Sequence, residues 1–356
     1  MEPRDLSVHT PYRAGRGIEE VARELGKEPD DLVKLSSNEN PFGPSPAAVE
    51  AIREAAPTVH TYPKAEHTDL SAALAEKWDV ALEQVWLSPG GDGVLDYLAR
   101  AFLDPGDGVL VPDPGFAYYP MSARYRDAEV DSYPIPREED FAQRPEHVLE
   151  RYDDHRIIYL TTPHNPTGSE MARDDIRTIA EETDDETLVL VDEAYGEFTD
   201  APNACPLLDD REDIAILRTF SKAYGLAGLR LGYALVPEEW ADAYERVNTP
   251  FAVNSLACQA GMAALEDDDH VEKTVETTRW AREYMHDELD ARTWESGGNF
   301  VLAEVGDGAA VSDATQREGV IIRDCSSFGL EDCVRITCGT ETETERAVAV
   351  LNEVLS

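Results

Sequence analysis

The sequence predicts an α/β fold with a largely parallel central sheet flanked by helices, followed by a smaller α+β domain. Three observations point there. Five apolar runs, at Val85-Trp86-Leu87, Gly108–Val111, Ile157–Leu160, Leu188–Val191 and Ile214–Leu217, alternate with stretches of helical spacing. Alternating strand and helix implies parallel strands joined by helical crossovers. Each run ends in a loop rich in glycine, proline or polar residues. After Pro250 the texture changes to long helical patterns and three further strand-like runs. A chain of 356 residues is too long for one small core and suits such a division. The boundaries expected are an arm over 1–35, a large domain over 36–250 and a small domain over 251–356.

Taken in order, Ile18 to Leu25 has helical spacing and stops at Gly26. Lys34 to Pro46 is too rich in proline and asparagine to be regular and reads as a loop, with Ser45-Pro46 opening the next helix. Ser88-Pro89-Gly90-Gly91-Asp92-Gly93 follows the first strand and precedes a helical pattern through Leu103. Strand, glycine loop and helix together present free backbone N–H groups to an anion. Phe116 falls at the end of the second run, where a ring can lie on a flat ligand. In Pro163-His164-Asn165-Pro166, Asn165 stands between two prolines, so its amide can be aimed; His164 reads as a turn residue.

The fourth run passes straight into Asp192-Glu193-Ala194-Tyr195. A carboxylate directly after four apolar residues is costly to bury unless a cation or a donor meets it. The fifth run leads into Thr219-Phe220-Ser221-Lys222, with Arg230 eight residues on. Lys222 is one of only six lysines, and a lysine at such a strand end can form a Schiff base with a carbonyl. In a parallel sheet, ligands bind outside the carboxyl ends of the strands. Gly91, Phe116, Asn165, Asp192 and Lys222 are therefore expected on one edge. Beyond Pro250, helices are expected over Ser255–Leu265 and Val271–Leu289, strands over 298–303, 319–324 and 333–338, and a final helix over Glu341–Leu355. The acidic run Glu266–Asp269 reads as a solvated turn.

Thirty-one basic residues oppose 73 acidic ones, a net charge of −42. That charge disfavours nucleic acid and anionic membrane as partners. It resembles the surface of proteins from salt-rich cytoplasms, where a Debye length of about 3 Å at 1 M screens self-repulsion. The five cysteines have no C-x-x-C pair. Free thiols in a reducing compartment are expected rather than disulfides, and the spacing of Cys325, Cys333 and Cys338 fits no zinc pattern. Neither a leader pattern nor an apolar run of membrane length is visible. A soluble, cytoplasmic enzyme without a metal is the expectation.

An imine-forming lysine, a buried carboxylate, an aimed asparagine and an anion-cradling loop suit pyridoxal 5′-phosphate, whose ring is an electron sink when its nitrogen stays protonated. Asn38-Glu39-Asn40-Pro41, His164–Gly168, Asp192–Tyr195 and Ser221-Lys222-Ala223 with Gly228-Leu229-Arg230 resemble, in order and spacing, the fold-type I aminotransferases. Within them the similarity is to the histidinol-phosphate aminotransferase family. The resemblance implies that Lys222 carries the cofactor, Asp192 pairs with the ring nitrogen, and Tyr195 and Asn165 bond the ring oxygen. It implies Phe116 stacked on the ring and Gly91, Asp92, Thr219, Ser221 and Arg230 around the phosphate. Tyr62 would reach the phosphate of a neighbouring subunit, hence a homodimer. Arg335 would take a carboxylate, with Arg323 and Tyr12 near the phosphate end of the amino donor. The implied substrates are histidinol phosphate and 2-oxoglutarate/glutamate. This chain departs from the family at Gly93, Phe116 and His164, where an acid, a tyrosine and an asparagine are usual. A phosphothreonine decarboxylase or an aromatic aminotransferase on the same fold is the alternative.

Overall fold

The structure, a computed structural model, describes residues 17–64 and 67–356 together with Met1, Leu6, Ser7, His9 and Pro11. In chain order its elements are α1 (Ile18–Leu25), β1 (Val33–Leu35), α2 (Pro46–Ala55), α3 (Thr68–Trp78), β2 (Val85–Ser88), α4 (Gly91–Phe102), β3 (Gly108–Asp113), α5 (Tyr118–Arg124) and β4 (Glu129–Pro134). There follow α6 (Pro145–Leu149), β5 (Ile157–Thr161), α7 (Arg173–Glu182), β6 (Leu188–Asp192), β7 (Ile214–Thr219), β8 (Gly232–Leu235), α8 (Ala241–Val247) and α9 (Ser255–Leu265). The chain closes with α10 (Asp268–Glu288), β9 (Arg292–Thr293), β10 (Phe300–Glu304), α11 (Gly308–Arg317), β11 (Val320–Asp324), β12 (Cys333–Thr337) and α12 (Glu341–Leu355).

Among the described residues the strands form two sheets. The larger runs β2-β8-β7-β6-β5-β3-β4. All its pairings are parallel except those of β8, which runs against both β2 and β7. The interior strands β5, β6 and β7 are buried along their whole length, as continuous apolar runs between two helical layers must be. In this larger sheet two strands were not legible in advance. Edge strand β4 is mostly exposed and polar, and β8 is four residues beginning with glycine.

The second sheet runs β1-β11-β12-β10-β9. Its first strand corrects the expectation of a loop from Lys34: Val33–Leu35 pairs in parallel with Val320–Ile322. Three residues carry too little pattern to read. The acidic run is solvated as expected, with Glu266 in an exposed turn, but its second half is helix. The Asp267 side chain accepts from the His270 backbone N–H, and Asp268 and Asp269 form the first turn of α10, where acids suit the positive end of the helix dipole. Helix α9 lies beyond the boundary expected at 250 yet contacts α2 and α3, and Ala257, Cys258, Ala260 and Ala264 are buried in a core shared with β5, β6 and β7.

Candidate active site

The parallel strands bring their carboxyl ends to one edge. At the end of β6, Asp192 is buried. Its Oδ2 accepts from the Tyr119 hydroxyl at 2.6 Å and its Oδ1 from the Ala194 backbone N–H at 2.9 Å. Among the described residues no cation pairs with it. Burial pushes its carboxyl up to about 6, against the opposing pull of those two donors. Tyr119 also shares a proton with Thr161 at the end of β5, 2.8 Å away. Its ring stacks on Tyr159 at 4.9 Å and meets the Phe116 ring edge-on at 5.5 Å. Phe116 thus sits over the same strand ends, as its place in the chain implied.

Past the end of β7, the Ser221 backbone N–H and the Thr219 hydroxyl bind each other's side chains, with Ser221 N–H donating to Thr219 Oγ1 at 3.1 Å and Thr219 Oγ1 donating to Ser221 Oγ at 3.0 Å. This turn carries Lys222. Its Nζ donates to the Ser37 carbonyl at 3.4 Å and stands 5.6 Å from the centre of the Tyr195 ring. The Tyr195 hydroxyl accepts from Asn38 Nδ2 at 3.0 Å, and its ring is edge-on to Phe300. Asn165 Oδ1 accepts from Arg335 Nη1, and Arg335 Nη2 donates to the Ser36 carbonyl at 3.1 Å. Arg323 is the cross-strand partner of Arg335, and both guanidinium groups lie 5.9 Å from the Phe328 ring. Arg323 Nη2 donates to Ser327 at 3.0 Å.

The glycine loop begins α4. Gly90 holds a left-handed φ of 82°, and the Arg230 guanidinium lies so close over it that a side-chain carbon there would collide. Arg230 Nη2 donates to Asp92 at 3.0 Å. An arginine, a helix N-terminus and the Thr219–Ser221 turn make a cradle for an anion. The Gly232 backbone, paired with both Ser88 and Thr219, joins its two halves.

His164 is more than a turn residue. It is fully buried, its Nδ1 bonds Thr167 at 2.8 Å, and burial pushes its imidazole down to about 3, so it is neutral. Tyr62 stands apart from this cluster. It is 83% exposed, packs on Phe251 at 4.9 Å and lines a cavity of about 450 Å³ with Lys64, His67 and Cys258. Tyr12 lies outside the described residues. All five cysteines are free and buried; burial pushes Cys205 up to about 11 and Cys338 up to about 12.

Sequence reasoning gave no role to Tyr119 or Asn38. Tyr119 stands three residues after Phe116, a spacing that puts two side chains on one face of a helical turn. Asn38 opens a motif already noted as distinctive.

A family model for aminotransferase classes I and II matches residues 30–351. The histidinol-phosphate aminotransferase of Haloarcula marismortui is 69% identical over 355 residues, covering 100% of this chain and 99% of its own. That of Natronomonas pharaonis is 67% identical over 355 residues, with 100% of both covered. Among solved structures, the histidinol-phosphate aminotransferase of Sinorhizobium meliloti in complex with pyridoxal-5′-phosphate superposes with a TM-score of 0.86. It is 27% identical, covering 96% of this chain and 95% of that one.

Proposed function

Because the chain belongs to the class I and II aminotransferase family, we propose that it transfers the amino group of L-histidinol phosphate to 2-oxoglutarate. The products are imidazole-acetol phosphate and L-glutamate, and the cofactor is pyridoxal 5′-phosphate. What carries this reading is the identity with histidinol-phosphate aminotransferases along the entire chain.

The residues fit the cofactor on two counts. The cradle at Gly90 offers the Arg230 guanidinium, the start of α4 and the Thr219–Ser221 turn, the donors a phosphate takes. Asp192 is a buried acid with donors but no cation, suited to a protonated ring nitrogen. When bound, the cofactor supplies an aldehyde and a ring that accepts the electron pair of a broken Cα–H bond. Lys222 would hold the aldehyde, and its amine, once free, would move the proton of substrate Cα. Asp192 would keep the ring nitrogen protonated. Tyr195 and Asn165 would donate to the ring oxygen, and Phe116 would cover the ring face. Gly91, Asp92, Thr219, Ser221 and Arg230 would hold the phosphate. Arg335 and Arg323, planar donors side by side on β11 and β12, bind the carboxylate of one substrate and the phosphate of the other; Tyr12 belongs with them.

The pair of exposed rings, Tyr62 and Phe251, supports a homodimer in which Tyr62 reaches the partner's phosphate site. Residues 36–250, together with α9 packed on them, would carry the cofactor, and β1 joins the sheet of the smaller domain that follows. No helix among the described residues is long and apolar enough to cross a membrane. The charge of −42 suits a cytoplasm of high salt. The test is to add each amino donor to purified enzyme in molar salt. Histidinol phosphate should bleach the cofactor's visible absorbance without releasing carbon dioxide. Bleaching by phenylalanine or tyrosine alone, or carbon dioxide from phosphothreonine, rejects the assignment. Lys222→Ala should abolish turnover.

A further inference from the structure

The segment that leaves β1 addresses three functional groups with three successive residues. The Ser36 carbonyl accepts from Arg335, the Ser37 carbonyl from Lys222, and the Asn38 side chain donates to Tyr195. Asn38 is itself held by the smaller sheet. Its backbone N–H donates to Thr337 Oγ1 at 2.9 Å, its Oδ1 accepts from that same hydroxyl at 3.1 Å, and its carbonyl accepts from Asn299 Nδ2 at 3.1 Å. Thr337 is two residues beyond Arg335 on β12, so the two side chains share a face.

We propose that Asn38 is a positioning residue for the transamination: its amide decides which way the Tyr195 hydroxyl presents its proton, and its loop fixes that hydroxyl relative to Lys222 and Arg335. The inference rests on the cofactor reading given above. The polarity follows from the bonding. Thr337 Oγ1 accepts from the Asn38 backbone N–H and donates its own proton to Asn38 Oδ1. That fixes the amide oxygen towards Thr337 and the NH₂ towards Tyr195. The Tyr195 oxygen must then accept, and its proton is left for an acceptor on the Lys222 side, where the ring oxygen of the cofactor lies in the proposed reading. A turn conformation alone does not require this. Asn38 has a left-handed φ of 53°, which glycine or aspartate also adopts, but only asparagine offers a donor to Tyr195 and an acceptor to Thr337 at once.

Charged residues carried by the elements packed on Tyr195 include Lys222, Asp192, Glu193, Glu197 and Arg335, the last lying 5.3 Å from the Phe300 ring, and Arg282 of α10, which donates to the Phe198 and Gly298 carbonyls. The test leaves all of them in place. A hydroxyl that donates to the ring oxygen favours the deprotonated chromophore. Asn38→Asp keeps the shape but offers an acceptor, so Tyr195 donates to it instead. The pH midpoint of the bound cofactor's visible absorbance change should rise by about one unit, a tenfold change in the equilibrium. The turnover number should fall about tenfold, with a smaller change in KM for the amine. Asn38→Gly should raise the midpoint in the native background and leave it unmoved in Tyr195→Phe. A folded Asn38→Asp with an unmoved midpoint overturns the proposal. So do equal shifts from Asn38→Gly in both backgrounds. If Asn38→Gly does not fold, the isosteric Asn38→Asp decides alone. Native protein that binds no cofactor sinks the functional reading instead, so the two failures are distinguishable.

Discussion

Asp192 and Glu193 are adjacent at the end of β6, both buried, and they are treated in opposite ways. Successive side chains of a strand point to opposite faces. On the one face Asp192 meets only hydrogen-bond donors, Tyr119 and Ala194. On the other, Glu193 meets the Ala204 backbone N–H at 2.7 Å and the Arg218 guanidinium at 3.3 Å. Arg218, from β7, also pairs with Glu197 at 3.3 Å and lies 4.3 Å from the Trp78 ring. A side chain at Gly196 would strike that guanidinium. Burial works against the charge on Arg218, but Glu197 and Glu193 outweigh it and hold the guanidinium protonated. A buried acid with its cation built into the chain is architecture. A buried acid with donors and no cation is prepared for one that arrives from outside.

The strongest way to break this contrast is to neutralise each acid in turn. Asp192→Asn should lower the turnover number by about 10²–10⁴-fold, the usual range for loss of a group that stabilises developing charge or governs a proton. Glu193→Gln should leave turnover within about tenfold, because its partner is Arg218 and not the substrate. Comparable losses from both would end the distinction. Next in size, Arg218→Leu strands two buried carboxylates. It should cost about 3–5 kcal/mol of stability, read as a lowered unfolding midpoint in molar salt.

The contrast also marks what a sequence can disclose. Helix α12 was legible to the residue because its signals are local: Thr340 and Glu343 cap each other across one turn, and the apolar stripe repeats behind them. Lys222 and Asp192 were legible because a charged residue at the end of an apolar run is conspicuous in one dimension. Asn38 and Tyr119 were not, since their partners lie 157 and 73 residues away. Nothing near Tyr119 tells a core tyrosine from one that donates to a carboxylate. Strand β1 escaped for a related reason. Its pairing with β11 is decided almost 300 residues downstream, by the three cross-strand partners that begin at Val320.

The contrast sharpens further in protein stripped of cofactor. The Asp192 carboxyl sits near 6 in the folded chain against 3.8 as a free side chain. The folded state therefore holds this proton longer than the unfolded one. Its contribution to stability is greatest below about pH 3.8 and is lost as the pH rises to about 6, a penalty of about 3 kcal/mol once complete. Asp192→Asn removes the penalty. Tyr119 can turn its hydroxyl towards Thr161 and accept from the new amide. Cofactor-free Asp192→Asn should thus be up to about 3 kcal/mol more stable than native protein at pH 7.5, with the gain vanishing near pH 4. Added cofactor should reverse the order. A variant destabilised at every pH would mean that Asp192 already has a cation within the chain.

Tyr119→Phe is the gentlest test and the most specific. It keeps the ring that stacks on Tyr159 and deletes the 2.6 Å bond to Asp192. Without that donor the carboxyl moves further above 6, so near pH 6 more of it is protonated and fewer molecules can receive the ring cation. Cofactor affinity should fall about tenfold at pH 6, equivalent to about 1.4 kcal/mol, and progressively less towards pH 8.5, where Asp192 is ionised with or without help. An equal loss at every pH would reduce Tyr119 to packing. A loss confined to the acid side would show that Asp192 is kept ready for its cation by a hydroxyl from α5, just as on the opposite face Arg218 pulls the Glu193 carboxyl down against the upward push of its burial.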